Sequence, residues 1–358
     1  MPAFAKVVLA DDRMSADAAY KLACDGTALL WQGDYQNARH LLQALSRRLE
    51  QKGRKKLSGK TEAPPTPGAA FHLHRQRQGH RARILGMLLL PLEADHSLPL
   101  RRAPDVRQAC LEAYGEADGP YVASLRELLG LIGAHEWRKK GVEIPAVGGR
   151  IHAHYGVFSP VRGEYVDLVA KAPLPKGATL AMDVGVGSGV LSAVLARRGL
   201  RVIATDLSPR ALACARDNLH RLRLQAQVEL LETDLFPPGQ QAPLILCNPP
   251  WLPAKPSSPI ESAVYDPDSQ MLRGYLQGLK AHLSTGGEGW LVLSDLAEHL
   301  GLRTREELLR WIEVAGLTVL GRLDALPRHP KAQDQEDPLH AARAKEITSL
   351  WRLGVAAG

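Results

Sequence analysis

Asn248, Pro249, Pro250 and Trp251 directly follow a short apolar run and combine groups that could act on a planar nitrogen. An amide or aromatic exocyclic nitrogen is a poor nucleophile because its lone pair is delocalised. The Asn248 side-chain oxygen and the Pro249 carbonyl could accept hydrogen bonds from its two N–H groups and so favour a pyramidal nitrogen. The prolines keep the segment rigid, and Trp251 could stack on a flat acceptor or, alternatively, cover the core as a loop residue.

A glycine-rich segment, Asp183-Val-Gly-Val-Gly-Ser-Gly189, precedes this tetrapeptide in the chain. A strand that ends in glycines and turns into a helix lets backbone N–H groups approach a ligand closely, because no side chain intervenes. Gly185, Gly187 and Gly189 alternate strictly, whereas dinucleotide enzymes prefer the spacing G-x-G-x-x-G. The spacing therefore disfavours a nicotinamide cofactor.

Carboxylates stand at the ends of three successive predicted strands. Asp206, followed by Leu207, could bind both hydroxyls of a ribose, since an acidic residue at this position of an α/β unit does so. Asp234 is followed by Leu235 and Phe236, apolar groups that could flank an adenine ring. Asp183 could hold the glycine loop or meet an ammonium group. Taken singly, each could instead be an ordinary turn residue.

With these motifs in this order, residues 155–355 resemble a class I S-adenosylmethionine-dependent methyltransferase. The resemblance implies a Rossmann-like α/β fold whose seven-stranded sheet has an antiparallel last strand, here residues 347–353. It implies S-adenosylmethionine as methyl donor, with Asp206 on the ribose and Asp234 on the adenine amino group. The Asn-Pro-Pro-aromatic subgroup methylates nitrogens in planar systems. Its last position is more often Tyr or Phe, so Trp251 departs from the pattern.

Two segments flank these motifs. Residues 155–164 resemble the stretch that packs over the methionine end of the donor in the subgroup, with Phe158, Ser159 and Glu164 as candidates. Residues 252–270 form a long, proline-broken loop, which predicts a lid. Tyr265 and Asp266 could contact acceptor or cofactor there, and a plain surface turn is the alternative.

The elements that must position these residues fall into two domains, as expected for 358 residues. Residues 1–141 are predicted to form an α+β auxiliary domain, residues 142–156 a connecting hairpin, and residues 157–358 the methyltransferase domain. The auxiliary domain is predicted to contain a mobile basic loop at 52–69, strands at 72–77 and 83–90, and helices at 16–24, 35–51, 104–114 and 120–140. Strands are predicted in the second domain at 179–184, 201–206, 228–234, 244–247, 289–294, 318–323 and 347–353, with helices at 190–198, 209–222, 269–283 and 304–314.

Composition excludes several classes of protein. The four cysteines have no paired spacing, which disfavours zinc ribbons, redox pairs and disulfide frameworks. His72, His74 and His80 cluster without a cysteine or carboxylate to complete a metal site, so we expect no metal. The longest apolar stretch, residues 84–92, is too short to span a bilayer, and residues 1–12 lack the layout of a secretory signal. The chain is predicted to be cytoplasmic and free of the membrane.

The net charge of +7 lies wholly in the first part of the chain. Residues 1–150 contain 23 Lys and Arg against 16 Asp and Glu, while residues 151–358 contain 22 of each. This asymmetry favours RNA as the partner, and the domain arrangement resembles ribosomal RNA guanine-N2 methyltransferases. It also resembles protein glutamine methyltransferases, so a protein substrate stays open. A small aromatic metabolite and a non-catalytic donor-binding protein are the remaining alternatives.

Overall fold

The computed structural model describes residues 6–58, 66–256, 261–327, 334–335 and 337–356. The chain divides into two compact units, the first comprising residues 1–65 and 69–136 and the second residues 66–68 and 137–358. The domain boundaries expected from the sequence stay a prediction.

The N-terminal unit is built on a four-stranded sheet with the order β1-β2-β3-β4. Its strands are β1 Lys6–Ala10, β2 Thr27–Trp31, β3 Leu88–Leu92 and β4 Tyr121–Ser124. The helices are α1 Ala16–Cys24, α2 Tyr35–Ser58, α3 Pro67–Leu85, α4 Arg107–Tyr114 and α5 Leu125–Lys140. The first three strands run parallel and β4 pairs antiparallel with β3. The helix predicted at 16–24 is confirmed, whereas β1 and β2 were not foreseen.

The segment between β2 and β3 corrects the sequence prediction. The residues predicted as strand at 72–77 lie in α3, and α2 continues through residue 58 where a loop was expected. Residues 59–65 of that expected loop lie outside the described part of the chain. The segment predicted as strand at 72–77 consists of His, Leu, Arg and Gln, and α3 has no β-branched residue before Ile84. Unbranched side chains favour a helix, and tertiary packing of Phe71, Ile84 and Leu85 completes it.

The predicted strand at 83–90 and the predicted helix at 120–140 also need correction. Residues 83–85 end α3, and β3 begins at Leu88. The helix is preceded by β4, in which Tyr121 and Val122 pair with β3, so α5 begins only at Leu125. Aromatic and β-branched residues of this kind favour the extended backbone of a strand.

The C-terminal unit contains a two-stranded hairpin and a seven-stranded sheet. The hairpin strands are β5 Val142–Ile144 and β6 Gly149–Ile151. The sheet strands are β7 Leu180–Val184, β8 Arg201–Asp206, β9 Val228–Glu232, β10 Ala242–Cys247, β11 Leu283–Ser294, β12 Leu317–Ala325 and β13 Thr348–Val355. The helices are α6 Glu164–Lys171, α7 Val190–Arg197, α8 Pro209–Arg221, α9 Gln270–His282, α10 Leu296–His299, α11 Arg305–Val314 and α12 His340–Arg343.

The order of the large sheet is β12-β13-β11-β10-β7-β8-β9. Strand β13 runs antiparallel to both β11 and β12, which confirms the expected seven-stranded α/β fold with an antiparallel last strand. Apolar side chains pack on both faces of the sheet, because helices cover both.

Strand order reverses at β7, which lies between β10 and β8. In open α/β sheets, ligands bind outside the carboxyl ends of the strands at such a reversal. Cys247 at the end of β10 is paired with Val184 at the end of β7. Gly185 and Asn248 therefore begin neighbouring turns at the same edge of the sheet.

Candidate active site

The glycine loop after β7 forms a backbone-lined cradle. The N–H groups of Gly185 and Val186 donate to the carbonyl of Thr205 at 2.9 and 2.8 Å, which fixes the loop against β8. Gly185, Gly187 and Gly189 have φ angles of 81°, 52° and 81°, a region that side chains rarely adopt. A Cβ on Gly189 would lie 3.1 Å from the Cα of Ala215, whereas one on Gly187 would meet nothing within 4 Å. Gly187 thus faces open space at the sheet edge.

Asp206 lies at the end of β8 and is joined to the cradle. Its Oδ2 accepts a hydrogen bond from the Gly187 N–H at 3.0 Å, and its Oδ1 accepts one from the Ser208 N–H at 2.9 Å. An ionised carboxylate oxygen can accept a second hydrogen bond, so both oxygens keep capacity for ribose hydroxyls. Leu207 beside it is 63% exposed and offers an apolar surface at the same edge.

The third strand-end motif is placed differently from the prediction. Strand β9 ends at Glu232, so exposed Asp234 lies in the following turn and not at the strand end. The carbonyl of Leu235 accepts the Thr205 hydroxyl at 2.6 Å, which ties this turn to β8. Phe236 stacks on His282 of α9 at a centroid distance of 4.4 Å, and packs with Tyr275 of the same helix. Leu235 and Phe236 both pack against the core cluster on this face of the sheet, and their place beside an adenine stays a prediction.

Asp183 is buried in β7, and its carboxylate accepts the hydroxyl of Ser192 on α7. Burial removes water from the charged form and raises the pKa of Asp183 to about 7, although the Ser192 hydrogen bond lowers it. The Ser192 bond joins β7 to α7, and both predicted roles of Asp183 stay predictions.

We expect Asp183 to make stability depend on pH. The folded protein keeps a proton on Asp183 up to about pH 7, while the unfolded chain releases it near its ordinary pKa of 3.8. The folded state binds more protons between these values, so raising the pH across this window lowers the free energy of unfolding. The free energy of unfolding should therefore fall by about 3 kcal/mol between pH 5 and pH 8 through this group. Urea unfolding at both pH values should show a smaller decrease for Asp183→Asn than for the wild type. Equal decreases would refute the raised pKa.

Asn248 follows β10 and is bonded to Trp251. The indole N–H of Trp251 donates to the Asn248 Oδ1 at 2.9 Å, which orients the amide. Pro249 is buried and Pro250 half-buried, so the turn is held by packing. The Trp251 ring contacts Tyr165 edge-on at 6.5 Å, and half-buried Phe158 packs in the same core cluster. The stacking of Trp251 on an acceptor stays a prediction, and in this structure its N–H serves Asn248.

A series of contacts that begins at the Trp251 ring was not predicted from the sequence. The Arg162 guanidinium lies 6.0 Å from the centroid of the Trp251 ring. Arg162 donates to the buried carboxylate of Glu346 at 3.1 Å, and the Ser294 hydroxyl donates to the same oxygen at 2.7 Å. Arg162 and Glu346 are 184 residues apart in the chain, so no local pattern in the sequence predicts that they pair. Glu164, predicted as a candidate near the methionine end of the donor, is buried at the start of α6, two residues after Arg162 in the chain.

The loop after Trp251 is described except for residues 257–260. Leu252 and Tyr265 form an isolated bridge, so the two ends of the loop meet. Buried Asp266 accepts the N–H groups of Met271 and Leu272 at 3.0 and 3.1 Å and thus caps the start of α9. This arrangement is a structural role for Asp266. The lid function stays a prediction.

The described residues also bear on metal binding and on membrane insertion. They contain no group of three or more His, Cys, Asp and Glu side chains that could hold a metal ion. None of the described helices combines the length and apolar character that crossing a membrane requires.

Together, the open glycine at Gly187, the adjoining Asp206 carboxylate and the seven-stranded sheet fit S-adenosylmethionine, and they define an S-adenosylmethionine-dependent methyltransferase. Residues 148–309 match the family model of the methyltransferase small domain, and the chain belongs to this family. S-adenosylmethionine is accordingly its methyl donor.

Curated relatives match part of the chain. A release factor glutamine methyltransferase of Moorella thermoacetica is 30% identical over 149 residues, which are 36% of this chain and 53% of the relative. A tRNA1(Val) (adenine(37)-N6)-methyltransferase of Shewanella amazonensis is 30% identical over 169 residues, 43% of this chain and 72% of the relative. The chain spans about half the length of the release factor methyltransferase from Moorella. It spans 31% of the length of the corresponding enzyme of Koribacter versatilis and 58% of that of Cereibacter sphaeroides.

Proposed function

We propose that this methyltransferase transfers the methyl group of S-adenosylmethionine to an exocyclic amine of a base in RNA. The observation that supports N-methylation is the position of Asn248. The register of β10 next to β7 brings Asn248 to the turn beside the glycine loop, at the sheet edge where open α/β sheets bind their ligands.

The chain's own residues supply positioning and hydrogen bonds to the acceptor. Bound S-adenosylmethionine supplies a methyl group on a positively charged sulfur. The Asn248 Oδ1 has two lone pairs, of which one takes the Trp251 N–H, so the second is available for an acceptor N–H. The Pro249 carbonyl is the second predicted acceptor. Together they would turn the nitrogen lone pair out of the plane of the base. The bond from nitrogen to the methyl carbon would form as the sulfur–methyl bond breaks, which leaves S-adenosylhomocysteine, and the proton lost from the nitrogen would pass to water.

RNA is favoured by the basic character of the N-terminal unit. Helix α3 contains four arginines and three histidines and no acidic residue. Arg77, Arg83, His72 and His80 are exposed, and Arg81 is paired with Glu50 of α2. Exposed guanidinium groups suit the phosphates of a nucleic acid. The Shewanella relative, matched over most of its length, is named as an adenine N6 methyltransferase of tRNA.

Protein glutamine is the second candidate. The Moorella relative is named for glutamine in release factors. A glutamine side chain presents a planar NH2 group like that of adenine, so the Asn248 turn suits both acceptors equally. The charge of α3 favours RNA.

The test is methyl incorporation from labelled S-adenosylmethionine into separated RNA, protein and small-molecule pools. The pools come from cells that lack the enzyme, so that its target sites are unmethylated. We expect label in the RNA pool, with nuclease digestion releasing a nucleotide whose base is N-methylated.

Each other outcome overturns the RNA proposal in a distinct way. Label in protein would identify the glutamine alternative, and label in small molecules a metabolite acceptor. Donor binding without label in any pool would identify a non-catalytic donor-binding protein. Protection against thermal unfolding by S-adenosylhomocysteine, and not by NAD, is expected in every case.

A further inference from the structure

A second concave surface lies in the C-terminal unit, away from the glycine loop. This open pocket has a volume of about 570 Å³. It is lined by Arg150, Arg197, Arg221, Arg223 and His152, together with the glycine pair of the β5–β6 hairpin and Leu222. The four arginines come from three separate parts of the chain. No chemistry assigned above uses this pocket.

The frame of the pocket is built by specific contacts. Arg197 at the end of α7 donates to the carbonyls of Val147 and Leu222, both at 3.0 Å. The N–H of His152 donates to the Asn218 Oδ1 on α8 at 2.8 Å. A Cβ on Gly149 would lie 2.6 Å from the Leu222 side chain, so the hairpin lies against the end of α8. These contacts hold the pocket open before any ligand arrives.

The positive charge of the pocket is only partly neutralised. Arg150 pairs with Glu143 at 3.3 Å, and Arg197 bonds to uncharged carbonyls. Arg221 and Arg223 are exposed, and no carboxylate of the described residues pairs with either. Asp217, one turn before Arg221 on α8, is held by His154 and by Arg138.

Helix stabilisation accounts for part of this cluster and not for all of it. A cation in the last turn of a helix interacts favourably with its carboxyl end, which explains Arg197 and Arg221. Arg223 lies beyond the end of α8 at a φ of 58°, and Arg150 lies on the hairpin. Four guanidinium groups around one concavity exceed what capping two helices needs.

Guanidinium groups recognise phosphates through paired hydrogen bonds, which makes a phosphate-bearing ligand the best match. The described lining has no Phe, Tyr or Trp to stack on a base, and no free carboxylate to bind a ribose. These features favour the backbone of a nucleic acid strand over a free nucleotide.

The position of the pocket sets the length of the ligand. Helices α7 and α8 begin beside Gly189 and Asp206 and end at the pocket, so the pocket lies at the opposite edge of the sheet from the donor site. Strands of five to six residues separate the two edges by roughly 20 Å. A substrate that occupies both must be a folded or extended RNA of several nucleotides.

We propose that the pocket formed by Arg150, Arg197, Arg221 and Arg223 binds phosphates of the RNA substrate at a distance from the methylated base. The proposal rests on the proposed function, in that the ligand is the RNA being methylated. It adds a docking site on the catalytic unit itself.

The test is charge reversal at the two arginines that make no carboxylate pair, Arg221→Glu with Arg223→Glu. We expect the KM for the RNA pool to rise about 10-fold and the salt dependence of RNA binding to fall by about 2 in log–log slope, as for two lost phosphate contacts. The kcat and the affinity for S-adenosylhomocysteine should stay within about 2-fold, since neither residue reaches the donor edge. Replacement of both by lysine should restore most of the RNA affinity, because the charge returns.

The matched control reverses two exposed charges elsewhere on the same unit, Lys280→Glu on α9 and Arg310→Glu on α11. An equal loss of RNA affinity in the control would show a general effect of charge and overturn the proposed docking site.

An unchanged KM and salt slope in the Arg221/Arg223 variant would also overturn the docking site, while RNA methylation itself would stand. No label in RNA with the wild-type protein would instead refute the proposed function. A rise in Tm with micromolar ADP that the Arg221/Arg223 variant abolishes would identify a nucleotide site and overturn RNA docking.

Discussion

Replacing Asn248 with alanine is expected to lower methyl transfer roughly 10²-fold, the scale of losing one positioned hydrogen-bond partner in the transition state. The variant removes the Oδ1 that would accept an acceptor N–H, and it leaves the Gly187 and Asp206 contacts intact. Donor affinity should therefore stay within about 2-fold of the wild type. Single-turnover transfer of labelled methyl measures the first quantity, and calorimetric titration with S-adenosylhomocysteine measures the second.

Trp251→Phe is the matched control for this prediction. Phenylalanine keeps a flat ring in the turn and removes the N–H that donates to Asn248. We expect a smaller loss of transfer, because Asn248 keeps its oxygen and loses the bond that orients it. Wild-type turnover in Asn248→Ala would refute the role of Asn248. A Trp251→Phe loss as large as that of Asn248→Ala would contradict this expectation and show that the amide oxygen acts only when the Trp251 N–H orients it.

Replacing Asp206 with alanine should weaken donor binding by roughly 10²-fold. Two hydrogen bonds from ribose hydroxyls to a charged carboxylate are worth about 1.5 to 3 kcal/mol each, and part of this is regained from water. The same carboxylate accepts the Gly187 N–H, so its removal also loosens the glycine loop. Titration with S-adenosylhomocysteine measures the loss, and transfer at saturating donor should stay within about 10-fold of the wild type.

The control for Asp206 removes a carboxylate from the same half of the sheet. Glu229 is exposed on β9, and Glu229→Ala should leave donor affinity unchanged. The two principal variants separate the two halves of the site, because one affects transfer and the other affects donor binding. The assignment of acceptor and donor roles fails if Asp206→Ala reduces transfer at saturating donor while binding the donor normally.

The elements of the catalytic unit could be predicted where the pattern is local. Strand β8 has the predicted bounds, and the helices that became α7 and α8 each end one residue before the predicted end. Strand ends marked by Asp, Gly or Asn interrupt apolar runs, and that contrast is visible within a few residues. Among the expectations that failed, the strand predicted at 72–77 lies in α3, where basic and polar residues give no clear period and packing of Phe71, Ile84 and Leu85 decides the conformation.

The sequence by itself determined the class of chemistry, since the glycine loop, Asp206 and the Asn-Pro-Pro-Trp turn are continuous motifs whose local shape follows from their own residues. Only the tertiary structure decided which of these motifs lie side by side and which hydrogen bonds join them. The strand order brings Asn248 beside Gly185, and the Trp251 N–H donates to the Asn248 oxygen. Glu346 accepts a hydrogen bond from Arg162, whose guanidinium lies near the Trp251 ring. The arginine pocket has the same origin, because its members join only when the hairpin packs on the ends of α7 and α8. Such contacts depend on where the chain returns in space, which spacing along the sequence does not encode.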